Sequence, residues 1–169
     1  MTTRLRNVMH WFWTALHWVV MLLAVGAGLA VFVMIAVTSC DVVLRMTGRS
    51  IHGAYDIVRI AGAVTIACAL PYTTAVKGHV AIEYFFHKLN NTGRLIVDTF
   101  CRLITIGLFG LLGWQSVLFG HSLRQSGSVS LTLEIPLYWV AYIIAASCTV
   151  TMFVTLHNLL HPGREMIRP

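Results

Sequence analysis

The chain has 169 residues, 57% hydrophobic and only 11% charged, with a formal net charge of +6. A soluble domain carries about 25% charged residues, so a water-soluble core is a poor description of this chain. Its Lys and Arg residues are spread along the sequence rather than gathered on one face, which argues against nucleic acid as a partner.

In chain order, residues 4–17 are amphipathic. Leu5, Val8, Phe12 and Ala15 make one face, and Arg6, His10, Thr14 and His17 the other. Such a segment is either a helix lying in the membrane interface or an extension of the crossing that follows. The apolar run Trp18–Cys40 predicts a first transmembrane helix over about 18–44, since a hydrocarbon core of about 30 Å needs roughly 20 helical residues. Val37-Thr38-Ser39-Cys40 resembles a lipoprotein cleavage box. The run before it is longer than the roughly 7–15 apolar residues of a signal peptide, so cleavage is not expected.

A second crossing is predicted over about 55–76, with Pro71 set to kink it toward the inner end. Residues 79–91 then read as a second interfacial helix. Ile82, Phe85, Phe86 and Leu89 lie on one face, with Glu83 and His87 opposite. The third crossing is predicted over about 96–119 and the fourth over about 136–160. Pro136 suits the first turn of the fourth, with Glu134 before it facing the positive end of the helix dipole. The expected fold is an all-α integral membrane protein, a single four-helix membrane domain over 1–169 with short interfacial amphipathic helices.

Four crossings put both termini on one side. Arg4, Arg6, Lys77, Lys88, Arg94, Arg164 and Arg168 share that side, against Arg45, Arg49 and Arg124 on the other. The basic side faces the cytoplasm. Trp11, Trp13 and Trp18 then anchor the inner interface, and Tyr55, Tyr138 and Trp139 the outer one.

Charges near membrane helices need partners. Three pairs have the spacing to close on their own helix surface: Asp41 with Arg45, Asp56 with Arg59, and Asp98 with Arg102. All six acids sit at helix ends, in loops or in tails, so no carboxylate is placed near the bilayer middle to couple an ion. Small residues recur in every crossing: Gly26, Gly28 and Ala30; Ala63 and Ala67; Gly107, Gly110 and Gly113; Ala141 and Ala145. At such spacing backbones can approach closely, within the bundle or against another membrane protein.

Chemistry-bearing motifs are missing. There is no H-E-x-x-H, no phosphate-cradling glycine loop and no G-x-S-x-G. Cys40, Cys68, Cys101 and Cys148 form no C-x-x-C pair and read as small packing residues. His17 and His157 both fall near the inner interface, so a haem b anchor of a quinone-linked redox enzyme stands as the alternative class. No catalytic, cofactor-binding or metal-ligating residue is expected otherwise.

Four runs carry a family resemblance: Asp41-Val-Val-Leu-Arg45, Gly53-Ala-Tyr-Asp56, Lys77-Gly78-His79-Val80-Ala81-Ile82-Glu83, and Ser130 through Pro136-Leu137-Tyr138-Trp139. In order and placement they resemble the small membrane subunit of TRAP (tripartite ATP-independent periplasmic) transporters, DctQ-like. Asp56 stands where that family often has Glu. The resemblance implies a non-catalytic protein of the bacterial inner membrane without a cofactor of its own. A periplasmic substrate-binding protein would deliver an organic acid, and a large membrane subunit would carry it inward with sodium. This chain would pack on that large subunit, among membrane lipids. The charge pairs and these runs together give the structural or partner-facing candidates: Asp41, Arg45, Asp56, Arg59, Gly78, His79, Glu83, Asp98, Arg102 and Pro136.

Overall fold

A computed structural model of the chain describes residues 2–76 and 91–160. Those residues form four helices: α1 (Thr2–Met46), α2 (Ala54–Ala75), α3 (Asn91–Gln125) and α4 (Tyr138–Leu160). All four are long and apolar enough to cross a membrane, as expected of an all-α membrane protein. In lipid the backbone must satisfy its own hydrogen bonds, so apolar runs of this length fold as helices. Among the described residues, extended pairing is limited to one bridge between Val129 and Pro136.

The helices differ in length. At 22 and 23 residues, α2 and α4 span roughly 33–35 Å, close to the thickness of the hydrocarbon core. At 45 and 35 residues, α1 and α3 reach roughly 68 and 52 Å and run well beyond it. The amphipathic segment 4–17 is continuous with the first crossing rather than separated from it by a break. The interfacial segment predicted over 79–91 lies almost wholly outside the described residues, as do Gly78, His79 and Glu83.

The helices pack as a row, α1 on α2, α2 on α4, and α4 on α3, while α1 meets α4 only narrowly. The narrow contact is an apolar cluster at the end of the row where α1 starts and α4 finishes, labelled inner (and the opposite end outer) after the expected topology. There Leu16 and Val20 of α1 join Ala75 of α2 and Val154 of α4. At the far side of the row, glycines let α3 approach α4. A Cβ on Gly113 would stand 3.4 Å from Cys148 Cβ, and one on Gly120 would stand 3.1 Å from the Tyr142 ring. Gly26, Gly28 and Gly107 meet nothing within 4 Å. The small residues therefore divide into those that bring helices together and those that face outward. Both outer helices also expose large apolar side chains along their length, from Trp18 to Phe32 on α1 and from Phe100 to Phe119 on α3.

At the outer side α1 and α3 end alike. Gly48 and Gly127 adopt φ +77 and +62. The amides beyond them, of Arg49 and Ser128, donate back to the Leu44 and Leu123 carbonyls at 3.1 and 3.2 Å. This left-handed glycine cap satisfies carbonyls that a helix end would otherwise orphan.

The fourth helix starts later than predicted. Pro136 lies in the bridge to Val129, and Leu137 N–H donates to Ser128 O at 3.3 Å. Glu134 takes φ +53, in the left-handed region, and the returning chain lets Ser130 N–H reach Ile135 O at 2.9 Å. The local hairpin thus takes up the residues that would have formed the first turn. Neither Pro136 nor Glu134 occupies the helix-start position expected of it.

Candidate functional site: the carboxylates that tie the outer loops

Two aspartates organise the outer end, and each reaches past its own helix. Asp41 lies near the end of α1 and is buried. One carboxylate oxygen accepts from Arg45 Nε at 2.7 Å, closing the predicted pair on the helix surface. The other accepts from Ile51 N–H at 2.9 Å, ten residues on. The Arg45 side chain remains 66% exposed, so Arg45 covers the carboxylate while leaving its own head in contact with the surroundings. Asp41 thereby pins the α1–α2 loop back onto the helix it leaves.

Asp56 does the same for the α3–α4 loop. It sits in the first turn of α2, only 2% exposed, where the helix dipole favours an anion. One of its oxygens, Oδ2, accepts from the Ser130 hydroxyl, from Thr132 N–H at 2.8 Å and from Leu133 N–H at 3.2 Å. The predicted pairing with Arg59 is not what forms. Arg59 stays exposed, and its neighbour's charge is taken up by loop donors more than seventy residues away. Charge-assisted bonds to fixed backbone amides are short and directional, whereas Arg59 would have to give up rotamer freedom to reach the same carboxylate.

Gly53 completes the junction. It caps the start of α2 at φ +81, and a Cβ placed there would collide with the Leu133 side chain. Leu133 fills the space left by that missing side chain while its amide bonds Asp56. The run Gly53-Ala54-Tyr55-Asp56 thus supplies both the hollow and the anchor for one loop.

The inner end has a second polar junction. Asn158 of α4 is buried, and its side-chain amide donates to the Thr74 carbonyl of α2 at 3.2 Å. Its own backbone carbonyl accepts from Arg102 Nη1 of α3. Thr74 and Asn158 lie in the last turns of their helices, where carbonyls lack intrahelical donors and a cation is favoured. Arg102 therefore bridges to another helix. The side chain of Asp98, its predicted partner, lies outside the described residues.

Asn158 was not singled out from the sequence, although a signal was present. Ser147, Thr151, Thr155 and Asn158 form a buried polar stripe at helical spacing on α4. The Thr151 and Thr155 hydroxyls donate back to carbonyls one turn earlier, which makes their burial tolerable.

The two inner histidines have separate aromatic neighbours. His157 packs edge-to-face on Trp13 with centroids 4.4 Å apart, and His17 lies 6.4 Å from Trp18. His157 is thus engaged by Trp13 rather than shown facing His17, and nothing here favours the haem-anchor alternative. Among the described residues no group of three His, Cys, Asp or Glu is placed to hold a metal.

Four helices long and apolar enough to cross a membrane, with Asp41 and Asp56 tied to the loops at one end, define a multi-pass membrane protein. Residues 34–164, more than three quarters of the chain, match the family model of the DctQ component of tripartite ATP-independent periplasmic transporters. The chain belongs to that family. No curated protein and no solved structure matches it.

Proposed function

We propose that this chain is the small, non-transporting membrane subunit of a TRAP transporter. It scaffolds a large membrane subunit that takes up an organic acid (a carboxylate, sugar acid or sulfonate) with sodium, from a periplasmic substrate-binding protein. Family membership supports the transporter context. The observation that carries the scaffold reading is the use made of the charges. Asp41 and Asp56 are committed to loop amides at the outer end, and Arg102 reaches an interhelical carbonyl at the inner end. Ion coupling in a membrane interior calls for ionisable groups along a path, and these groups are occupied in holding the subunit's shape. The long apolar faces of α1 and α3 offer surface to lipid and to a partner.

Liposome uptake with each component omitted in turn tests this. Sodium-driven accumulation of the organic acid is expected only with the large subunit, the binding protein and this chain together. Uptake by this chain alone would refute the scaffold role, and undiminished uptake without it would make the subunit dispensable.

A further inference from the structure

The two ends of the helix row expose apolar faces of different character. On α1 the outward face runs through Trp18, Leu22, Val25, Leu29 and Phe32, where the one polar group is the Trp18 indole N–H near the membrane interface. Lipid tails solvate such a face fully. On α3 the glycines Gly110, Gly113 and Gly120 turn toward α4. The opposite face runs through Ile104, Leu108, Leu111, Gln115, Leu118 and Ser122, all exposed.

Ser122 lies close to the helix end, beside Arg124, so Gln115 is the polar side chain deep on that face. Counted along α3 it lies between Arg102, at the inner junction, and Arg124, in the last turn. At 1.5 Å per residue it stands roughly 20 Å from the first and 14 Å from the second, near the middle of the bilayer. Among the described residues its amide has no hydrogen-bond partner. A primary amide carries two donors and one acceptor, and lipid tails offer it nothing. A polar side chain pointing away from its own bundle at that depth is a recognised means of joining transmembrane helices.

We infer that the Gln115 face of α3 is the seat of a transmembrane helix of the large membrane subunit. That helix presents a hydroxyl, amide or free carbonyl at the depth of Gln115 and apolar side chains to either side. The α1 face is lipid-facing by comparison. This inference rests on the proposed scaffold function and selects the surface through which the scaffold acts.

The test uses the complex of this chain co-expressed with its own large membrane subunit. A photo-crosslinking residue is placed at Leu111 or Leu118, flanking Gln115, and at Leu29 on α1. Adducts with the large subunit are expected from both α3 positions and not from Leu29. Gln115→Leu is expected to lower the large subunit recovered with this chain by roughly 3- to 10-fold, the range measured for single interhelical hydrogen bonds in membranes. Gln115→Asn should retain more of the complex than Gln115→Leu. Leu29→Ala should leave recovery unchanged. Adducts between two copies of this chain, or an intact complex cross-linked only from Leu29, would overturn the assignment while leaving the scaffold function standing. Absence of any complex for the unsubstituted chain would overturn both.

Discussion

Asp56 shows how one side chain can decide the conformation of a distant loop. Three donors converge on a single carboxylate oxygen, two of them backbone amides fixed by the 130–135 hairpin. Asp56→Asn keeps the shape, removes the charge and turns an NH2 group or a weaker acceptor toward those donors. The amides of residues 130–133 are expected to exchange with solvent at least ~10-fold faster in that variant, the scale of leaving buried donors without a proper acceptor. Asp56→Glu retains the charge and should fall between the two. Hydrogen exchange by mass spectrometry reads the difference, and unchanged exchange in Asp56→Asn would show that the hairpin stands without its anchor. Gly53 permits a sharper comparison, because Gly48 shares its left-handed backbone but has open space around it. Alanine at either position costs about 1–2 kcal/mol in backbone conformation. Only Gly53→Ala adds a collision with Leu133. Its loss of melting temperature in detergent should therefore exceed that of Gly48→Ala, and equal losses would mean that Leu133 gives way freely.

The elements were legible in the sequence to different degrees, for physical reasons. Membrane crossings are set by apolar length, which a single sequence records directly, so four helices follow from composition and run length. Their ends depend on competing local bonds. Pro136 has the chemistry of a first-turn residue, yet the hairpin between Ser128 and Leu137 claims it, so α4 begins at Tyr138. Charge pairing was legible only within one helix. The Asp41–Arg45 bond formed as its spacing implies, but Asp56 found donors that spacing cannot reveal, since Ser130 and Thr132 are brought near only by the fold. Small residues marked every helix without saying which were used. Their use is now testable. Gly120→Leu would drive a side chain into Tyr142 and Ala141 and should part α3 from α4, at the 1–3 kcal/mol or more of about one overpacked site. Gly28→Leu, which enters open space, should leave thermal stability near that of the unsubstituted chain. A Gly120→Leu protein as stable as Gly28→Leu would show that the α3–α4 contact contributes little.

For the whole molecule, the paired anchors bear on how it lies in the membrane. Asp56 joins the start of α2 to the α3–α4 loop, and Gly53 of the α1–α2 loop receives Leu133, so these two loops share one end of the row. Arg45, Arg49 and Arg124 accompany that end, and the chain order of four crossings assigns Arg4, Arg6, Lys77, Lys88, Arg94, Arg164 and Arg168 to the other. Basic residues are retained in the cytoplasm, so the end bearing the aspartate anchors should face the periplasm and both termini the cytoplasm. Leu131 lies in the anchored hairpin at 88% exposure, which makes it a clean reporter of that end. In a background with the exposed Cys40 and the other native cysteines replaced, Leu131→Cys and Arg49→Cys should react with a membrane-impermeant maleimide added to intact spheroplasts. Lys88→Cys should react only after the membrane is opened. Labelling of Lys88→Cys from outside, with Leu131→Cys protected, would invert the molecule and place its anchored loops beyond the reach of any periplasmic binding protein.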